Sequence, residues 1–345
     1  MKTHGDNFFE DFQLGRKIAH ASPRTLTEGD AAHYGALTGS RFILQASAPF
    51  ARRLGYHTRP LDDFLVFNTV FGQSVADISL NAVANLGYAE GRFVKPVHAG
   101  ETLSAISEII GLRETSRGDS GVVYVRTDGL NERGEQVLTY IRWVLVKKRD
   151  AKSPAPVAHV PELVGTVSAD DLALPHHVDF GVFFDTAQSG SPLLWDDYAI
   201  GDRIDHNDGV AVEEAEHMTA TRLYRNTARV HFDPQAGGFG KRLVYGGQIL
   251  SLARALSFNG LANAVQILAI NNGRHVAPVF AGDMLFAWSE VLDKKPLRKD
   301  CGALRLRLIT AKNRACGNFP DKDVHGKYPD NIVLDFDYWA LMPRG

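Results

Sequence analysis

Two cysteines in 345 residues are too few for a disulfide framework, and Cys301 and Cys316 lack the spacing of a metal site. Long apolar runs are missing too: no stretch approaches the roughly 20 residues that cross a bilayer. The first thirty residues hold no apolar segment fit for a signal peptide. Nor does one sign of charge dominate. With 38 Lys+Arg against 40 Asp+Glu the formal net charge is -2, and no basic stripe marks a nucleic-acid surface. His176 and His177 stand side by side without neighbouring ligand spacing, so no metal is expected. These absences predict neither a membrane nor a nucleic-acid partner, and a reducing cytoplasm as the setting.

What is present is ordinary globular composition, 44% hydrophobic and 23% charged, in a chain long enough for two domains. The chain also resembles itself. FFEDFQLGRKI from Phe8 lines up with LWDDYAIGDRI from Leu194, and at that offset Glu28 meets Glu214 and Gln45 meets His231. GRFVKPVHAGETLSAISEIIG from Gly91 matches GRHVAPVFAGDMLFAWSEVLD from Gly273. A period this long exceeds the ~20–50 residues of solenoid repeats and reads as a duplicated domain. The predicted units are residues 1–150, a linker over 151–190, and residues 191–345. Val157, Val160, Leu163 and Val164 are the linker's expected anchors.

Each half begins with an extended lead-in, then a polar helix, TEGDAAHYGALTG or EEAEHMTATRLYR, and then a more apolar one. The apolar helices are predicted over DDFLVFNTVFGQSVADIS and GGQILSLARALSFNGLA; in the latter Ile249, Leu252, Ala253 and Leu256 share one face. Runs such as TLSAISEII, GVVYVRTDGL and EQVLTYIRWVLV then alternate apolar and polar residues, as half-buried antiparallel strands do. Turn candidates RGDSG and NERGE separate them. A sheet curled around a helix, twice over, is the predicted α+β architecture.

The densest polar chemistry lies in LYRNTARVHFDP, residues 223 to 234, ahead of the glycines of LVYGG. This order resembles the MaoC-like dehydratases, whose signature is Gly-Asp-x-Asn-Pro-x-His, then an acidic residue and proline, then a Pro-x-x-His-Gly turn. Arg225 to His231 occupy the signature, Asp233 and Pro234 the acidic pair, and Leu243 to Gly247 the turn. Asn226 replaces the family's aspartate. With FFEDFQLG, PLDDFLVFNTVFG, DISLNAVANLGYAEGRF and GVVYVRT added, the chain is similar over nearly its whole length to the mesaconyl-CoA hydratases, or β-methylmalyl-CoA dehydratases. The resemblance implies a double hotdog fold, and reversible syn addition of water to an enoyl thioester. It implies no cofactor beyond the coenzyme A that the substrate carries. Two fused halves can satisfy hotdog pairing alone, yet further dimerisation is common in the family, so a homodimer stays open.

Hydration of an enoyl thioester needs donors at the thioester oxygen and a base at the incoming water. Gly246 and Gly247 open the second apolar helix, where free amides and no side chain can serve that oxygen. His231 is the expected base, while Asn226, without basicity, orients water or substrate. Asp233 is expected to help orient His231, with Tyr245 in support. For the free carboxylate of mesaconyl-CoA the candidates are Arg229 first, then Arg225 and Arg41. In the first half Ser40 and Gln45 replace the dyad and Asp62, Asp63 and Phe64 the turn, so that half is read as shaping the pocket. Asp62 and Asp63 as active-site acids are the lesser alternative to helix-terminal ones. Rival functions are a hydratase for other acyl chains, a hotdog thioesterase, and a non-catalytic acyl-CoA binder.

Overall fold

The computed structural model describes residues 7–175, 177–181 and 184–345, which leaves His176 outside the described residues. The first half runs β1 (Lys17–Ala19), β2 (Arg24–Thr25), α1 (Glu28–Thr38), α2 (Asp63–Ile78), β3 (Ala82–Phe93), β4 (Thr102–Glu114), β5 (Ser120–Leu130) and β6 (Gln136–Lys147). The second runs β7 (Arg203–Ala211), α3 (Glu214–Leu223), α4 (Gly246–Leu256), β8 (Gln266–His275), β9 (Met284–Pro296), β10 (Cys301–Lys312) and β11 (Ile332–Pro343).

Local chemistry sets the element ends. The Thr27 hydroxyl accepts from the Asp30 amide at 3.2 Å, and the Asp30 carboxylate accepts from the Thr27 amide at 2.8 Å. This reciprocal cap starts α1, and Gly39 in the left-handed region ends it. Asp62 caps α2 through the Phe64 amide at 3.0 Å. Within α2 only Asp63, Ala76 and Asp77 escape full burial, so this helix lies inside the fold rather than on it. The helix predicted over 246–262 stops at Leu256, because Asn259 and Gly260 leave helical geometry and Gly260 takes φ 93°.

All ladders are antiparallel and form one sheet in the order β1-β4-β5-β6-β3-β8-β11-β10-β9-β7, with β2 beside β4. The halves meet along β3 and β8, where Tyr88 faces Gly273 and Ala89 faces Asn272. One hydrophobic core accordingly takes residues from both halves, including Phe67, Tyr88, Tyr245 and Leu250. Asn68 of α2 joins the central helices, donating to Gly247 O and Ser251 Oγ, both at 3.3 Å, and accepting from Tyr245 Oη at 2.9 Å. Buried polar groups persist where partners are complete, as they are here. The duplication also repeats in side-chain detail. Ser107 donates to His20 Nε2 at 2.7 Å, and Ser289 donates to His206 Nε2 at 2.8 Å.

The connecting segment corrects one expectation. Val157, Val160 and Val164 are exposed and Leu163 is half-buried, so they do not anchor it. Val167, Val178 and Phe180 do, packing with Leu44, Phe50 and Trp339. Backbone bonds help: Val167 N–H donates to Asn271 Oδ1 at 2.8 Å, and Val167 O accepts from Trp339 Nε1 at 3.0 Å. Among the described residues no helix is long and apolar enough to cross a membrane.

Candidate active site

The polar segment reaches its place by crossing α2 at a glycine. A Cβ on Gly72 would stand 1.7 Å from Tyr224 O, so only glycine lets this backbone pass. Arg225 then turns the chain at φ 54°, and Asn226 drops into the interior at 3% exposure. A single helical turn, Arg229–His231, follows and carries the imidazole inward.

His231 and Asn226 line one cavity of about 280 Å³ with Tyr245, Gly246 and His275. His231 Nδ1–H donates to Leu243 O at 2.8 Å, which fixes the tautomer and leaves the Nε2 lone pair without a partner among the described residues. Burial pushes this imidazole down to about 4, only partly offset by the Leu243 carbonyl. Its ring meets Tyr245 edge-on at 5.5 Å. Asn226 Oδ1 accepts from the Ala228 amide at 2.9 Å, so the NH₂ of this side chain is what it can offer the cavity.

The two glycines differ. Gly246 lines the cavity, whereas Gly247 is packed over: a Cβ there would lie 1.9 Å from Asn68 Oδ1. Both amides still fall in the first turn of α4, where N–H groups have no intrahelical partner. At Gly246 a Cβ would come within 2.5 Å of His275 Nε2. His275 was not anticipated from sequence. It accepts from or donates to Tyr88 Oη at 3.2 Å, its Nδ1 has no partner among the described residues, and burial also pushes it down to about 4. In the repeat it stands opposite Phe93, a polar-for-aromatic exchange that was its available signal.

Other expected site residues lie elsewhere. Asp233 is exposed and accepts from the Gln235 amide at 2.9 Å, so Leu243 O and not Asp233 orients His231. Arg225 is exposed and donates to Ser22 O at 3.3 Å; Arg41 is exposed and lies over the Phe258 ring at 4.5 Å. Arg229 is exposed as well, and none of the three lines the cavity. In the first half Ser40 donates to Asp62 at 3.0 Å, Gln45 Nε2 to Val265 O at 2.9 Å, and Ile267 N–H to Asp63 at 2.7 Å. Burial raises both carboxyls, Asp63 well above the usual range. These bonds occupy the place that corresponds to the second-half site, and neither Asp62 nor Asp63 lines the cavity.

Neutral buried imidazoles make the fold acid-sensitive: burial holds His98, His206, His231 and His275 to about 4. Unfolded, His231 and His275 accept protons near pH 6.5; folded, both stay neutral down to about 4. The unfolded state therefore binds more protons below pH 6.5, and stability present above that value is lost as pH falls toward 4. At 1.4 kcal/mol per pH unit the loss is roughly 3 kcal/mol for each group. The expected result is a melting temperature that drops steeply between pH 6.5 and 4; a constant one would contradict the buried placement of both rings.

Residues 2–315 match the family described as mesaconyl-CoA hydratase. A β-methylmalyl-CoA dehydratase of Chloroflexus aurantiacus is 57% identical over 99% of both chains. A mesaconyl-CoA hydratase of Cereibacter sphaeroides is 55% identical over 100% of both. The crystal structure of a MaoC-domain dehydratase from Chloroflexus aurantiacus superposes with a TM-score of 0.97 at 56% identity, covering 100% of this chain and 99% of that one. A Mycobacterium tuberculosis protein with a double hotdog fold gives 0.81 at 25% identity, covering 98% and 99%. The fold is thus a double hotdog, and the chain belongs to the mesaconyl-CoA hydratase family.

Proposed function

We propose that this chain adds water reversibly across the double bond of mesaconyl-CoA to give β-methylmalyl-CoA, with His231 handling the proton. The observation that carries this reading is the orientation of one imidazole. Its Nδ1–H is tied to Leu243 O, which leaves Nε2 as an acceptor in a cavity at the N-terminus of α4.

In the hydration direction the water oxygen bonds to the carbon β to the thioester as its proton passes to His231 Nε2. The electron pair of the double bond moves onto the thioester as an enolate. Free amides in the first turn of α4, at Gly246 and Gly247, stand where that negative charge is best received. Nε2–H then returns its proton to the α carbon on the same face, which closes the cycle with syn addition. Asn226, through its NH₂, holds the water or the acyl group in line.

An imidazole at about 4 is a weak base toward water alone. Its positive charge forms, however, only as the enolate's negative charge forms nearby, so each stabilises the other around a buried ring. The assay follows enoyl-thioester absorbance with mesaconyl-CoA and crotonyl-CoA in parallel, with free thiol measured in the same tubes. Faster absorbance loss on mesaconyl-CoA without thiol release is expected. Thiol release with the enoyl absorbance intact would establish a thioesterase instead.

A further inference from the structure

The cavity wall holds a positive charge with nothing negative beside it. Arg142 of β6 is 0% exposed and lines the cavity. Its Nη2 donates to Ser74 Oγ at 2.8 Å and its Nη1 to Ser79 Oγ at 3.3 Å, while its plane lies over Phe71 at 4.1 Å. The Nε–H has no partner, and no Asp or Glu among the described residues forms an ion pair with this guanidinium. A guanidinium keeps its proton in any protein environment, so the charge cannot be relieved by titration. Two hydroxyls and a ring solvate it without neutralising it. Buried charges are normally paired, because an unpaired one costs several kcal/mol.

A second unsatisfied group stands one strand away. Asn85 of β3 lines the same wall, and both its Oδ1 and Nδ2 are buried without partners. Strands β3 and β6 pair with Asn85 opposite Val144 and Tyr88 opposite Arg142, so the two groups share one stretch of sheet. The wall is also coupled to the proton-handling side. Tyr245 lies 5.5 Å from the His231 ring and 5.7 Å from Phe71, on which Arg142 rests.

We propose that Arg142 and Asn85 form a carboxylate subsite, contributed by the first half, that holds the free carboxylate of the acyl group during its reaction at His231. This rests on the hydratase reading and specifies how the substrate is chosen. In the mesaconyl skeleton each alkene carbon bears one carboxyl group. Whichever one carries coenzyme A, the free carboxylate sits on the carbon that receives water. Pinning that carboxylate therefore positions the reacting carbon as well as selecting the substrate. Nε–H of Arg142 and the NH₂ of Asn85 are the donors at hand, and the 3.3 Å bond to Ser79, the longer of the two, is the one an entering carboxylate exchanges.

Non-reacting thioesters separate this from the hydratase reading itself. Methylsuccinyl-CoA keeps the carboxylate, 2-methylbutyryl-CoA replaces it with a methyl group, and neither has a double bond to hydrate. Calorimetric titration should show the parent protein binding methylsuccinyl-CoA about 10- to 100-fold more tightly, as charge-assisted hydrogen bonds in a buried site provide. In Arg142→Gln the ratio of the two affinities should fall to near one. Asn85→Asp, which places a negative charge on the same wall, should lower the ratio too, and it decides the matter if Arg142→Gln does not fold. A parent protein with no preference, or a folded variant that keeps it, overturns the subsite. Failure of the parent to hydrate mesaconyl-CoA would overturn the hydratase reading and leave the binding result standing.

Discussion

His231→Gln should lose about 10²–10⁴-fold in kcat on mesaconyl-CoA, with KM changed only a few-fold. The asymmetry follows from the role. In the proposed role the imidazole's Nε2 takes and returns a proton in the transition state, while the walls that bind the acyl group remain. Glutamine approximates the size and can still donate to Leu243 O, but it has no site basic enough to accept a proton from water. The same variant should also become more resistant to acid. A buried imidazole held to about 4 is an acid-labile group, and its removal takes away one share of the stability lost below pH 6.5. Steady-state kinetics at neutral pH and melting curves at pH 5 and 7 check both halves of this expectation. A variant that keeps the parental kcat would remove His231 from the chemistry, whatever its melting behaviour.

Gly72→Ala carries the second large effect, and it acts at a distance from any reacting atom. The added methyl carbon would stand 1.7 Å from Tyr224 O, 2.9 Å from its carbonyl carbon and 3.3 Å from the carbonyl carbon of Arg225. All three atoms are backbone, so no side-chain rotation can relieve the contact. Overpacking usually costs ~1–3 kcal/mol, and this contact belongs at or beyond the upper end. For a chain of 345 residues that corresponds to a fall of roughly 4 °C or more in melting temperature. Because Asn226 and His231 follow directly on the displaced backbone, kcat should fall along with stability. Gly35→Ala is the matched control: Gly35 lies in α1, where an added Cβ would meet nothing within 4 Å, so the change should be neutral or stabilising. Equal melting temperatures for the two variants would show that Tyr224 does not cross α2 where described.

Much of the fold was legible because it depends on local pattern and on self-similarity. Period-two alternation placed β4, β5 and β6, and the polar helix read over TEGDAAHYGALTG is α1, whose cap at Thr27 the structure supplies. His231 and Asn226 could be found because the repeat and the motif assign each a position, and the structure brings both to one cavity. The arginines near the motif lie outside the cavity for a physical reason. Nearness along the chain suggested Arg225 and Arg229, but the left-handed turn at Arg225 sends Asn226 inward and leaves that guanidinium outside. Arg142 was harder to see. It sits alone in the apolar run YIRWVLV, and whether such a residue faces a cavity depends on the pairing of β6 with β3, far away in sequence. His275 shows the same limit, since its meaning comes from Tyr88 across the junction of the halves. In the linker, apolar residues alone did not identify the anchors; pockets left by Leu44, Phe50 and Trp339 select Val167, Val178 and Phe180.

The pairing of β3 with β8 has a wider consequence for the enzyme's ancestry. Two identical subunits meeting along such a strand pair must present two identical centres, and any residue suited to one task is imposed on both. Covalent fusion lifts that constraint. One copy is then free to surrender its proton-transfer groups and become the recognition wall of the other, as Gln45 opposite His231 in the repeat, and Arg142 beside a cavity it shares with that histidine, suggest has happened here. On the reading proposed above, what looks like a duplicated protein works as an unlike pair, with selection of the acyl group on one copy and bond making on its twin.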